Sequence, residues 1–211
     1  MQHIKSLSFK YYLSVSFVIA LSQHNPSQTN FHEALPSGLS KNPNMNVNDT
    51  TFAEAQVEKN YWLPVVEIIG LNFGVWSYHR YLSGENWSDI SWETIKNNIK
   101  YGFVWDYDGY LTNQFWHPYH GSNYYNAARS NGLGFWESAP YAFFGSLTWE
   151  YFMENQRPSY NDIVNTPVTG IILGEISFRV SNLIIDESST GLERVVREFS
   201  STLIDPMQGL N

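Results

Sequence analysis

Between Trp62 and Asp205 the apolar residues recur at helical spacing and never alternate as they would in a half-buried strand. Proline, glycine and capping residues punctuate that pattern, and together they leave an all-α fold of about six helices. Pro64 sits in the first turn of a helix over Trp62–Leu82, which Gly84 stops. Ser91 caps a short helix from Trp92 to about Tyr101, striped by Trp92, Ile95 and Ile99. His117-Pro118 reads as an N-cap and first-turn pair, opening a helix that closes at Asn131-Gly132. A fourth helix spans about Ala139 to Asn155, with Pro140 at its start. Ser159 and Asp162 start a fifth, Tyr160–Ile185, which Pro167 is expected to kink or split. Thr190 and Glu193 form a capping box for the last, Gly191–Ile204, whose stripe is Leu192, Val195, Val196, Phe199 and Leu203. Asp205-Pro206 ends it.

Ahead of this bundle the chain reads as an export signal. Lys5 and Lys10 precede a short apolar run, Tyr11–Leu21, and Ala20-Leu21-Ser22 offers small residues for cleavage near Ser22. Residues 23–51 are rich in Asn, Ser, Gln and Pro and are expected to be a disordered linker. The helical domain is then residues 52–211.

Charge and composition narrow the function. The net charge of −8 lacks the basic footprint that nucleic acid requires, and it gives no polybasic patch for anionic lipid. Cysteine is absent, which removes disulfides, thiolate nucleophiles and Cys-type zinc sites. Only 15 % of residues are charged and 17 % are aromatic, which suits a membrane or partner interface as well as it suits a thick aromatic core. Three segments approach membrane-spanning length: Trp62–Leu82, Ala139–Met153 and Val164–Ile185. Each carries ionisable residues that would be costly against lipid, namely Glu67, Glu150 and the Glu175–Arg179 pair. Gly70/Gly74 and Gly170/Gly174 would let helices approach closely in either environment. Buried core helices and partial membrane insertion both fit.

The residues able to carry chemistry concentrate between Trp116 and Gly132. His117 and His120 stand three apart, and His120 shares a helix face with Tyr124. Glu150 and Glu154 share a face of the next helix and are the natural partners of the histidines, as metal ligands or in acid–base work. His-x-x-His alone completes no metal site, and no cofactor is specified. The plainer reading makes His117 a helix cap and His120 a buried hydrogen-bonding group. Glu175 and Arg179, four apart, form either a register-fixing ion pair or, with Arg129, a pocket for an anionic headgroup. Asp106 and Asp108 resemble the opening of a calcium loop, but His117 stands where the closing Glu belongs, so a structural turn is expected. The candidate catalytic set is His117, His120 and Glu150; the candidate ligand-binding set is Tyr124, Arg129, Glu154, Glu175 and Arg179.

The run Trp105-Asp106 through His117-Pro118-Tyr119-His120-Gly121 to Ala128-Arg129-Ser130-Asn131-Gly132 is similar to a bacterial family, DUF3943. The likeness continues through Trp149-Glu150, Pro158-Ser159, Asp162, Gly170, Gly174-Glu175 and Arg179, and covers roughly residues 61–211. That resemblance implies an envelope protein of Gram-negative bacteria, periplasmic or outer-membrane-associated, and supplies no reaction. Related chains often continue past Met207, some into an apparent outer-membrane barrel, so a short member or a fragment is expected here. Two classes of function stand: a non-catalytic envelope module packed on a membrane or an envelope protein, and a lipid- or glycan-acting hydrolase or transferase using His120, Glu150 and an arginine.

Overall fold

A computed structural model describes residues 58–186 and 188–211. The expected signal peptide and linker lie outside the described residues. The described chain is an all-α bundle of six α-helices: α1 (Leu63–Tyr78), α2 (Trp92–Tyr101), α3 (His117–Ser130), α4 (Phe135–Phe152), α5 (Tyr160–Ile184) and α6 (Gly191–Ile204). α3 is the centre, packed most extensively on α5, then on α4, with α1 against both α3 and α4.

Local chemistry accounts for most boundaries. α1 continues as one π-helical turn, His79–Ser83, until Gly84 takes a left-handed conformation at φ 70°. In α2, Thr94 N–H donates to Ser91 Oγ and Ser91 N–H to Thr94 Oγ1, a reciprocal box.

Four expectations are corrected. His117 caps nothing: a π-helical turn, Thr112–Trp116, runs straight into α3 and frees the imidazole for another use. α4 starts four residues before Ala139, at Phe135, where the Glu137 carboxylate accepts from Gly134 N–H at 2.8 Å, so Pro140 lies inside the helix. Pro167 does not split α5, which is helical throughout. Thr190 makes no side-chain cap bond on α6.

The polarity of the bundle is inverted. Along α5 the inward residues are Asp162, Thr166, Gly170, Gly174, Glu175 and Ser181, while Val164, Val168, Ile172 and Ile176 point outward. The α6 stripe read from the sequence also faces out, with Leu192 80 % and Phe199 56 % exposed. α1 adds Val66, Ile69 and Phe73. The interior instead holds polar groups satisfied in pairs: Tyr124 Oη donates to Asn72 Oδ1 at 2.6 Å, and Asn72 Nδ2 donates to Thr148 Oγ1 at 2.9 Å. Buried apolar residues are few, chiefly Ile68, Tyr124, Tyr125, Ala127, Ala142 and Met207.

Glycine lets these polar faces meet. Gly170 lies directly on the Gly121 backbone, so that a Cβ on Gly170 would stand 2.4 Å from the Gly121 carbonyl carbon. Gly174 packs likewise against Tyr125 and Asn126. The Gly70/Gly74 pair is not used this way, since nothing lies within 4 Å of either missing Cβ. Among the described residues no helix is long and apolar enough to cross a membrane.

Candidate functional site

The loop between α2 and α3 decides the site. Val104 N–H donates to Pro158 O, and Tyr160 N–H returns to Val104 O, both at 2.8 Å. This bridge lays the loop along the start of α5. Asp106 N–H then donates to Asn161 Oδ1 at 3.2 Å, and the Asn161 amide donates to Asp106 Oδ1 at 2.6 Å and to Asp162 Oδ1 at 3.3 Å. The one amide nitrogen thus holds the Asp106 and Asp162 carboxyls side by side. Ser159 Oγ caps α5 by accepting from Asp162 N–H at 3.2 Å.

From α3, His117 reaches the same place. Its Nε2 lies 3.4 Å from Asp162 Oδ1 and 3.8 Å from Asp108 Oδ2, at ion-pair range but outside hydrogen-bond geometry. From α4, Trp149 Nε1 donates to Oε1 of Glu154, which does not share a helix face with Glu150 as expected but stands two residues past the helix end at Phe152. These groups surround a cavity of about 290 Å³ whose walls include Asp106, Asp108, Asp162, His117, His120 and Glu154. Trp87 and Trp149, 5.8 Å apart between ring centroids, form an aromatic side, and His120 packs on Trp149 at 5.2 Å. Glu150 sits behind the wall, buried, accepting from Ser159 N–H at 2.8 Å.

Crowding carboxyls in a partly dry space perturbs their protonation. Burial, the hydrogen bond with Asp106 and its charge push Asp162 up to about 7, against the pull of His117. Burial likewise raises Glu154 to about 7, opposed by its Trp149 bond and by His117. Glu150 goes up for the same reason, with the Glu154 charge adding to it. Burial alone would raise Asp106, but its bonds from Asp162, Asn161 and Asp108 N–H hold it below its usual range. Burial would lower His117, yet Asp108, Asp162 and Glu154 outweigh it and raise it. His120 falls to about 3 through burial and the nearby His117 and His79, so it is a neutral imidazole with one donor and one acceptor.

The remaining candidates form a second, separate network. Glu175 Oε2 accepts from Tyr125 Oη at 2.6 Å and Arg129 Nε at 2.9 Å, while Oε1 accepts from Arg179 Nε at 2.7 Å. Burial would raise Glu175, but Tyr125 and the two guanidiniums hold it low. Arg129 is further fixed by donating to Leu133 O at 2.7 Å and by lying over the Phe178 ring. Of the sequence candidates, then, His117, His120 and Glu154 meet in the cavity, and Glu150 and Tyr124 lie behind it. Arg129, Glu175 and Arg179 do not join them, so no arginine clamp stands beside His120. Among the described residues no group of three or more His, Asp or Glu side chains is placed to hold a metal ion.

Sequence reasoning gave Asp106 and Asp162 to a turn and a cap. The signal that could have joined them is the Asn161-Asp162 pair opposite Asp106-x-Asp108, but only the bridge at Val104 brings the two segments together.

No curated protein and no solved structure matches the chain. The family DUF3943, a domain of unknown function, matches residues 102–207. That span begins at the loop carrying Asp106 and includes α3 to α6. It is shorter than the resemblance over 61–211, leaving α1 and α2 outside. With half its length matched, and with Asp106, Asp108, His117, His120, Glu154 and Asp162 all inside the match, the chain belongs to the DUF3943 family.

Proposed function

We propose that this chain is a helical module of the bacterial envelope that beds its apolar exterior in a lipid surface and keeps a polar, tryptophan-walled cavity inside. The observation that carries the reading is the inverted α5, with Asp162, Thr166, Glu175 and Ser181 inward and Val164, Val168, Ile172 and Ile176 outward. A helix in water has the opposite arrangement. Large exposed apolar groups lie on every helix except α3, more than a single protein-binding patch accounts for. Tyr61 and Trp62 before α1, Tyr81 after it and Trp136 at the start of α4 place exposed amphipathic rings near helix ends, as in a membrane-interface belt. The helices lie against the bilayer rather than cross it. The Lys-flanked apolar run at the N-terminus supports export, to the periplasm or the outer-membrane surface.

Flotation of the purified chain with neutral phosphatidylcholine vesicles tests this. Binding that persists at high salt is expected, because the contact is apolar and the chain carries −8. Replacing Ile172 and Ile176 with Asp should release it. A chain that stays at the bottom of the gradient, or floats only at low salt with cationic lipid, contradicts the reading.

A further inference from the structure

The cavity has a chemistry that lipid binding does not need. Asp106 arrives on a loop and Asp162 on the first turn of α5, and Asn161 clamps both on one amide nitrogen. Two carboxyls held this close in a partly buried site resist double ionisation, so one of them keeps its proton. His117, 3.4 Å from Asp162, approaches the pair from α3.

A second observation points to a ligand. His120 lines the same cavity, its ring packed edge-on to Trp149. The His117 Nε2 atom is buried and lacks a hydrogen-bond partner. A buried polar atom in a native fold is normally satisfied, so the His117 Nε2 site is open to something that enters the cavity. The occupant is uncharged near its reacting centre. Asp106, Asp108, Glu154 and Asp162 disfavour phosphate or carboxylate, and Trp87 and Trp149 offer apolar walls. Among the described lining residues there is no serine, cysteine or lysine, and Thr112 is the one aliphatic hydroxyl; water is the nucleophile that a carboxyl pair activates directly.

We propose that this cavity hydrolyses an uncharged acyl group, an ester or amide, with Asp106 and Asp162 as the pair that activates water. The Asp106 carboxylate takes a proton from water as its oxygen bonds to the carbonyl carbon. The Asp162 carboxyl gives its proton to the carbonyl oxygen as the C=O π bond breaks, leaving a neutral gem-diol. In collapse, Asp106 returns its proton to the leaving oxygen or nitrogen as the bond to carbon breaks. Asp162 recovers a proton from one hydroxyl as the new carbonyl forms. The pair ends as it began, with acid and alcohol or amine released. His120, neutral and lining the cavity, orients the carbonyl or the water through its ring N–H.

The test is turnover of p-nitrophenyl butyrate and of butyryl p-nitroanilide by the full chain, with and without phosphatidylcholine vesicles. Release above buffer is expected for at least one probe, falling as pH rises past 7, where Asp162 loses its proton. The groups facing Asp162 are Asp106 from the loop, His117 from α3, Glu150 on α4 and Glu154 just past its end, with Asp108 within ion-pair range of His117. Asp106→Asn and Asp162→Asn should each lower the rate by about 100-fold or more, with a cooperative melting transition and wild-type helix content confirming that each variant folds. Arg179→Ala, on the separate network, should keep the wild-type rate. No release with either probe overturns the proposal. So does wild-type activity in both folded Asn variants, or a rate that climbs with pH alongside an acyl-protein adduct. The membrane reading survives these failures, since flotation does not depend on them.

Discussion

Replacing Gly170 with Ala tests the packing that makes an inverted bundle possible. The new Cβ would stand 2.4 Å from the Gly121 carbonyl carbon, 2.5 Å from Gly121 Cα and 2.8 Å from Ser122 N. Carbon atoms pack best at about 3.5–4.0 Å, so the α3 and α5 backbones must separate by about 1 Å. These atoms are main chain at the largest helix contact in the fold, and no side chain can rotate away to make room. Overpacking of this kind costs about 1–3 kcal/mol and sometimes more. Because the clash is backbone to backbone we expect the upper end, about 3 kcal/mol, offset by up to about 1 kcal/mol from alanine's better helix propensity. Gly70 is the internal control. It is exposed and mid-helix with nothing near its missing Cβ, so Gly70→Ala should gain about 0.5–1 kcal/mol. Melting followed by circular dichroism should place Gly170→Ala about 4–10 °C below the wild type and Gly70→Ala slightly above it. Equal stability of the two variants would refute the close α3–α5 approach.

Other predictions concern the polar groups. Asp162 and Glu154 titrate near 7 when folded and near 4 when unfolded. The folded state therefore binds more protons between those values, and stability rises as pH falls from 8 to 6, by up to about 1.4 kcal/mol per pH unit for each proton taken up. His120 opposes this only below its unfolded value of about 6.5, because its folded value is about 3. Melting temperatures at pH 8 and 6 check the sign, and Asp162→Asn with Glu154→Gln should flatten the difference. Glu175→Ala leaves the half-buried Arg129 guanidinium with only its bond to Leu133 O and should cost about 3 kcal/mol, whereas Arg179→Ala, whose side chain is 73 % exposed, should cost under about 1 kcal/mol; urea unfolding separates them. Tyr124→Phe leaves Asn72 Oδ1 without its donor and should cost about 1–3 kcal/mol in the same assay.

Helix positions were readable because Pro, Gly and capping residues act locally. Trp92–Tyr101 and Gly191–Ile204 emerge as expected, and the His120–Tyr124 face is real. What periodicity cannot give is which face looks inward. The α6 stripe has a clean period, yet the structure turns it outward, since period measures segregation and not direction. The site was half legible for a similar reason. His117 and His120 share α3 and Glu154 follows directly on the end of α4, which packs against it, so their meeting could be anticipated. Asp106 and Asp162 are 56 positions apart, one in a turn and one beside a cap. Each is fully explained by local chemistry until the Val104 bridge sets them side by side. Arg129 was offered as an anion clamp because a helical sequence does not reveal that Glu175 already holds it.

The inverted exterior is the central claim, and a chain without cysteine permits a direct measurement. Spin labels placed singly at Ile172→Cys and Phe199→Cys, with Glu198→Cys for comparison, report contact with oxygen, which partitions into lipid, against a water-soluble nickel chelate. On phosphatidylcholine vesicles the account predicts that the first two labels become oxygen-accessible and nickel-protected while Glu198→Cys stays open to nickel. Equal nickel access at all three positions, unchanged by vesicles, would contradict it.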